Sequence, residues 1–318
     1  MLIVENNMTR SIKDYLIIAM KGMGMGAADV VPGVSGGTIA FITGIYEELI
    51  ESIKSVDLNA IKLLFGFKFK DFWKAVNGNF LLSIVVGIAI SFVSLAKLIK
   101  YLLEQHPILI WSFFFGLIVA SAIVIARKIT EWKLRSIIAM IVGIGIAYMV
   151  TVVTPAETTN AYWFLFLSGA LAICAMILPG ISGAFILLLL GKYEFVLSAL
   201  SNFKLDVIAV VGIGAAAGLL SFSNLLSWLL RKYHNMTIAL LSGFMIGSLN
   251  KVWPWKETLS TFVDRHGVEK ALVQSNILPQ TFETISGQGA NLAFAIILAI
   301  MGFGLIIIMD KFSPESES

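Results

Sequence analysis

Two short stretches carry the residue types that could do chemistry. Pro32-Gly33-Val34-Ser35-Gly36-Gly37-Thr38 opens one apolar run, and Pro179-Gly180-Ile181-Ser182-Gly183 opens another 147 residues later. Proline fits the first turn of a helix because its missing N–H would be unpaired there anyway. Glycines beside it let backbone amides approach a ligand, and the serine hydroxyl adds a donor. Each stretch therefore reads as a helix start with unpaired N–H groups and roughly half a positive charge from the helix dipole. A start of this kind holds a phosphate or carboxylate without Lys or Arg. Gly33, Ser35, Gly36, Gly37, Gly180, Ser182 and Gly183 are the candidate anion-binding residues, with Thr38 offering a hydroxyl one turn on. The competing account of the same residues is helix capping and close packing, since small residues let helices approach.

Charged residues close to these stretches are candidates for coupling or gating. Asp29 would repel a dianion when ionised, and could instead exchange a proton or cap the following turn. Lys21 could pair with Asp29, attract an anionic head, or snorkel to an interface. Glu47 and Glu194, each preceded by tyrosine, are expected at the C-terminal ends of their helices, where the dipole disfavours a carboxylate. No hydrolytic constellation accompanies the serines: HExxH and paired-cysteine motifs are absent, and no phosphate-binding loop ends in Gly-Lys-Ser/Thr. Cys174 is the sole cysteine, and His106, His234 and His266 are scattered, so no metal centre is expected.

The elements that must position these residues are membrane helices. The chain of 318 residues is 58% hydrophobic and 14% charged, with a mean hydropathy of +0.89. That is more apolar surface than a soluble domain could hide. The stretches 79–103, 107–126, 136–154, 207–230, 236–249 and 291–309 read as transmembrane helices, and no cleavable signal peptide is expected. The glycine-broken segments 11–53 and 161–200 read as hairpins that return to the side they came from; the competing account is a pair of ordinary kinked helices, since Gly and Pro are frequent in membrane spans. With that assumption fourteen lysines and arginines fall on one side and eight on the other, which places the first side, and both termini, in the cytoplasm. The stretch 54–74, rich in lysine and aromatic residues, reads as an amphipathic segment on the anionic leaflet, and 251–289 as an external loop.

The chain also repeats itself. Pro32, Gly33, Ser35, Gly36, Ile39, Gly44, Tyr46 and Glu47 recur at an offset of 147 residues. Gly116 and Ser121 recur as Gly243 and Ser248 at an offset of 127, and Gly143 and Gly145 as Gly302 and Gly304 at 159. The offsets differ because the loops differ. Residues 1–155 and 156–318 are then two repeats, each with one re-entrant hairpin and three transmembrane helices. The odd number of crossings inverts the second, giving an all-α polytopic fold of the kind that places substrate sites near the midplane on broken helices. Gly116/Ala120 and Gly243/Gly247 are small-xxx-small pairs suited to helix packing.

"AADVVPGVSGGTIAFITGIYEELI" and "LPGISGAFILLLLGKYEFVL" resemble the PopT family of bacterial membrane proteins, and the resemblance covers nearly the whole chain. It implies a translocase in the bacterial cytoplasmic membrane that returns undecaprenyl phosphate, a polyprenyl-phosphate carrier of cell-wall sugars, from the outer to the inner leaflet. Its partners would be that lipid and the bilayer, with no nucleic acid. No enzyme activity and no cofactor are expected, and proton or sodium coupling and an oligomeric assembly stay open. The second copy departs from the first: Met176, Ala184 and Phe185 stand where Asp29, Gly37 and Thr38 would repeat, so the pocket is expected to be asymmetric. The same residues would also serve a carrier or channel for a small inorganic or carboxylate anion, or a membrane subunit without transport.

Overall fold

The computed structural model describes residues 10–30, 34–156, 158–263 and 269–312. Pro32 and Gly33 of the first break, together with His266, lie outside the described residues. The chain runs through α1 (Ile12–Asp29), α2 (Gly36–Ile42) and α3 (Tyr46–Lys54), then the short α4 (Leu58–Phe65) and α5 (Phe69–Ala75). It continues through α6 (Gly78–Ser94), α7 (Ala96–Gln105), α8 (Pro107–Arg127) and α9 (Leu134–Val152). The second half brings α10 (Tyr162–Ile177), α11 (Gly183–Leu189), α12 (Tyr193–Ser201), α13 (Leu205–Lys232) and α14 (His234–Ser248). Two strands, β1 (Lys256–Val263) and β2 (Glu269–Asn276), precede α15 (Pro279–Ser286) and α16 (Leu292–Phe312).

Among the described residues, α8, α9, α13 and α16 are each long and apolar enough to cross a membrane, and up to six spans result if two bent helix pairs are counted. The protein is thus a mostly helical, multi-pass membrane protein. One expected span is divided: 79–103 becomes α6 and α7, with the change at Leu95. Ser94 donates to the carbonyl of Ile90 at 2.6 Å, the back-bonding that bends helices. The expected loop 251–289 instead folds as an antiparallel hairpin with a bulge near Ser260, followed by α15. Trp253 and Trp255 tie it down by donating to the carbonyls of Ile277 and Ala290 at 2.9 and 3.0 Å. The basic connector forms α4 and α5, which leave Phe65, Phe67, Phe69 and Trp73 exposed.

The glutamates need correction. Gly44 and Gly191, at φ +73° and +63°, end α2 and α11 in the left-handed conformation that glycine adopts without a Cβ clash. Tyr46-Glu47 and Tyr193-Glu194 therefore begin α3 and α12. Both carboxylates sit in a first turn, where the dipole favours them.

The helices pair in a repeating way. α1 packs along α6 and α10 along α13; α8 packs along α16 and α14 along α9. Each pair approaches so closely that a Cβ on its glycines would strike the partner's backbone. Gly22 faces the carbonyl of Ile84 as Gly169 faces that of Val211, and Gly87 faces Ala19 as Gly214 faces Phe166. Gly116 faces Ala299 as Gly243 faces Met140, and Gly302 faces Phe113 as Gly143 faces Leu240. In every case both partners shift by the offsets of 147, 127 or 159 residues seen in the sequence. Gly145 and Gly304, the other pair related by 159, both face open space. Two of these pairings join a helix of one half to a helix of the other, so neither half packs alone.

Candidate functional site

The two broken stretches touch. The Ser35 hydroxyl donates to the carbonyl of Met176 at 2.9 Å, and the amide of Gly180 donates to Thr38 Oγ1 at 3.1 Å. Tyr46, buried at the start of α3, donates its hydroxyl to the carbonyl of Ile177 at 3.2 Å. Closeness depends on glycine at two points. A Cβ at Gly37 would collide with the Ile177 carbonyl, and Gly180 holds φ at +85°, which L side chains rarely adopt. Ser35, Thr38 and Ser182 are all buried. These residues thus converge from places far apart in sequence, deep in an apolar protein.

The two helix starts are not in the same condition. At the start of α2 the amide of Gly36 donates to Asp29 Oδ1 at 2.7 Å, and that of Gly37 to Ser35 Oγ at 3.1 Å. The Thr38 amide donates to the carbonyl of Ser35 at 2.9 Å. All three of these donors, orphans at an ordinary helix start, are filled from within the chain, Asp29 acting as an N-terminal cap. At the start of α11, Ser182 makes no capping bond, and among the described residues its hydroxyl has no partner. The corresponding amides of Gly183 and Ala184 also lack one among the described residues. Gly183 instead packs α11 against the carbonyl of Ala172 on α10, while Ala184 is exposed. The difference follows from sequence: the residue equivalent to Asp29 is Met176, which has no carboxylate to accept an amide N–H.

The remaining candidates lie around this centre. Lys21 donates to the carbonyl of Thr43 at 2.7 Å, at the C-terminal end of α2, and does not pair with Asp29. There it satisfies an orphan carbonyl and complements the negative end of the dipole. Glu47 is exposed, whereas Glu194 has one oxygen, Oε2, that is buried without a hydrogen-bond partner. Two groups carry no signal of their role in the sequence. Glu51 on α3 accepts from Ser227 on α13 at 2.5 Å and lies 3.5 Å from Lys54 and 3.9 Å from Arg231, tying the first hairpin to α13. Tyr46 reads in the sequence only as a repeated residue, and its hydroxyl bridges the two breaks.

Arg10, before α1, pairs with Glu48 on α3 at 2.6 Å, and Tyr162 at the head of α10 donates to Asp206 on α13 at 2.7 Å. Comparison with known proteins gives a consistent result. Residues 25–270 match the family described as undecaprenyl phosphate translocase-like. The chain is 47% identical over 302 residues to a polyprenyl-phosphate transporter of Vibrio cholerae, covering 95% of this chain and 98% of that protein. It is 36% identical over 253 residues to a polyprenyl-phosphate transporter of Staphylococcus aureus, covering 74% and 85%. No solved structure matches.

Proposed function

The chain belongs to the undecaprenyl phosphate translocase-like family, and from that premise we propose that it carries undecaprenyl phosphate from the outer to the inner leaflet of the bacterial cytoplasmic membrane. The phosphate head is held where the two breaks meet, and the prenyl chain stays in lipid. Only the charged head needs a path of low energy, because the tail remains in an apolar medium throughout.

The observation that carries this reading is the junction itself. Ser35 and Thr38 from one half bond to Met176 and Gly180 from the other, so opening the junction changes both helix starts at once. In the closed arrangement Asp29 occupies the α2 amides as an internal anion, and the α11 amides with Ser182 are the unfilled set. A phosphate first meets α11, and reaches α2 by displacing Asp29. Proton or sodium uptake by Asp29 would assist that exchange, since a neutralised carboxylate holds an amide less strongly. An exchange rate unaffected by both ion gradients would remove this coupling.

The two halves act as inverted repeats, each with a re-entrant hairpin, and rock against one another. Support comes from the glycine contacts that recur at the sequence offsets, and from the Arg10–Glu48 pair, which brings the chain before α1 to the start of α3. The Glu51–Ser227 bond with Lys54 and Arg231 closes the face that the charge bias assigns to the cytoplasm. That arrangement suits a state open toward the other face. The test is reconstitution with a labelled polyprenyl phosphate: leaflet exchange above that of protein-free vesicles is expected, with at least a tenfold fall on substituting Ser35→Ala and Ser182→Ala together. Exchange at the protein-free rate, or full activity in the double variant, overturns the reading.

A further inference from the structure

A second concentration of positive charge lies apart from the breaks. A cavity of about 280 Å³ opens between the end of α9, the α14–β1 turn and β2, with Phe185 and Leu189 of α11 in its wall. Lys251 and Lys256 both line it. Among the described residues neither amine has a carboxylate within ion-pair distance. Lys256 Nζ donates to the carbonyl of Lys251 at 2.6 Å and stands 4.4 Å from the Trp111 ring centre. Lys251 Nζ stands 4.5 Å from the Phe185 ring centre and has no hydrogen-bond acceptor among the described residues. The polar wall is ordered: Asn276 donates to Asn250, and Asn250 to Thr151, at 2.8 and 2.7 Å.

Burial pushes both amines below the ordinary lysine range, Lys256 down to about 7, where the neighbouring Lys251 charge adds to the effect. Two like charges, partly desolvated and without a counter-charge, are unfavourable unless something else supplies the anion. We propose that this cavity binds a phosphate monoester dianion, the ammonium groups of Lys251 and Lys256 taking its oxygens before the head moves to the junction of the breaks. This deepens the transport reading and rests on it for direction. Phe185 follows Ser182 by about one helical turn, roughly 5 Å of rise. Lys251 therefore stands over a side chain that α11 carries one turn beyond its unfilled start. Two point charges match a dianion better than the singly charged carboxylates that a general anion site would accept.

The experiment measures equilibrium binding of two probes, inorganic phosphate and farnesyl phosphate, to the full chain in detergent. Lys251→Gln with Lys256→Gln is expected to weaken both at least tenfold, while Lys204→Gln, at the head of α13, leaves them unchanged. Binding of both probes shows that the site reads the phosphate itself. Farnesyl phosphate alone identifies a lipid head as the ligand, and inorganic phosphate alone identifies the free ion. Unchanged binding of both probes to the double variant overturns the proposal. Should that variant misfold, protection of Lys256 from reductive methylation by either probe in the native chain gives the same answer, and absence of protection refutes it. Leaflet exchange in the native chain alongside unimpaired binding to the double variant sinks only this site. Lysine-dependent binding without leaflet exchange sinks the transport reading and leaves the site standing.

Discussion

Gly37→Ala tests whether the two breaks must meet. A Cβ added there would stand 2.3 Å from the Ile177 carbonyl oxygen and 3.1 Å from its carbon, so the obstacle is backbone from the other half and cannot rotate away. Restoring ordinary contact requires the breaks to part by about 1 Å. Overpacking of this kind costs roughly 1–3 kcal/mol. Parting also stretches the Ser35–Met176, Tyr46–Ile177 and Thr38–Gly180 bonds, each worth about 0.5–1.5 kcal/mol. If all three bonds were lost the total would be about 2.5–7.5 kcal/mol, against a gain of up to about 1 kcal/mol from placing alanine in a helix. Gly145→Ala and Gly304→Ala receive that gain alone, since nothing lies within 4 Å of either. The sign of the effect therefore separates junction from control. Thermal unfolding midpoints in detergent should fall by several degrees for Gly37→Ala and hold or rise for the other two, with leaflet exchange lost only in the first. A Gly37→Ala protein that melts with the controls and exchanges lipid normally would refute the junction.

Three further outcomes follow from particular bonds. Ser35→Ala removes a cap and a bond across the junction and should cost about 1–2 kcal/mol in unfolding, whereas Ser182→Ala should leave the melting midpoint unchanged and weaken only phosphate binding. Lys256→Met should stabilise the protein by up to about 5 kcal/mol at pH 6, as read from unfolding midpoints. Because the folded amine titrates near 7 and the unfolded one at its ordinary 10.5, native stability climbs as pH rises through that interval, and the benefit of the methionine fades with it. Lys251, Trp111 and Tyr148 face this amine or its cavity, and no described carboxylate does. Glu51→Gln removes the counter-charge from Lys54 and Arg231, loosening α3 from α13 by about 1 kcal/mol. Proteolysis at the Ser55–Asp57 turn should then accelerate about fivefold, and an unchanged rate would show that the cluster does not hold that face shut.

Much of the arrangement is legible because it is written in glycine. Backbone-to-backbone helix contact demands a missing side chain, so Gly116, Gly143, Gly243 and Gly302 mark the packed seams in the sequence as clearly as in space. The break stretches are legible for the same reason, and Ser35 does cap α2. What the sequence hides depends on distant partners. Lys251 and Lys256 look like loop cations until α9, α11 and β2 enclose them. The hairpin is hidden because "KETLSTFV" and "EKALVQSN" are polar enough to read as loop, and pair only with one another. Glu47 and Glu194 fall at the wrong ends of helices as long as Gly44 and Gly191 count only as repeated residues. Their positive φ angles make them helix stops.

Duplication gives the chain two similar helix starts, but a carrier open at both would be a leak. The two copies differ where this matters. Asp29 lets the first copy fill its own amides, while Met176 in the matching place offers no carboxylate to the amides of the second. Met176 still contributes, through its carbonyl, the acceptor that holds Ser35 in place. An internal carboxylate that caps one start stands where an outside anion would, so on the proposed reading its displacement would couple arrival of the head to parting of the junction. The asymmetry expected from three substituted positions thus has a physical form: the α2 start is capped from within the chain by Asp29 and Ser35, and the α11 start has no side-chain cap.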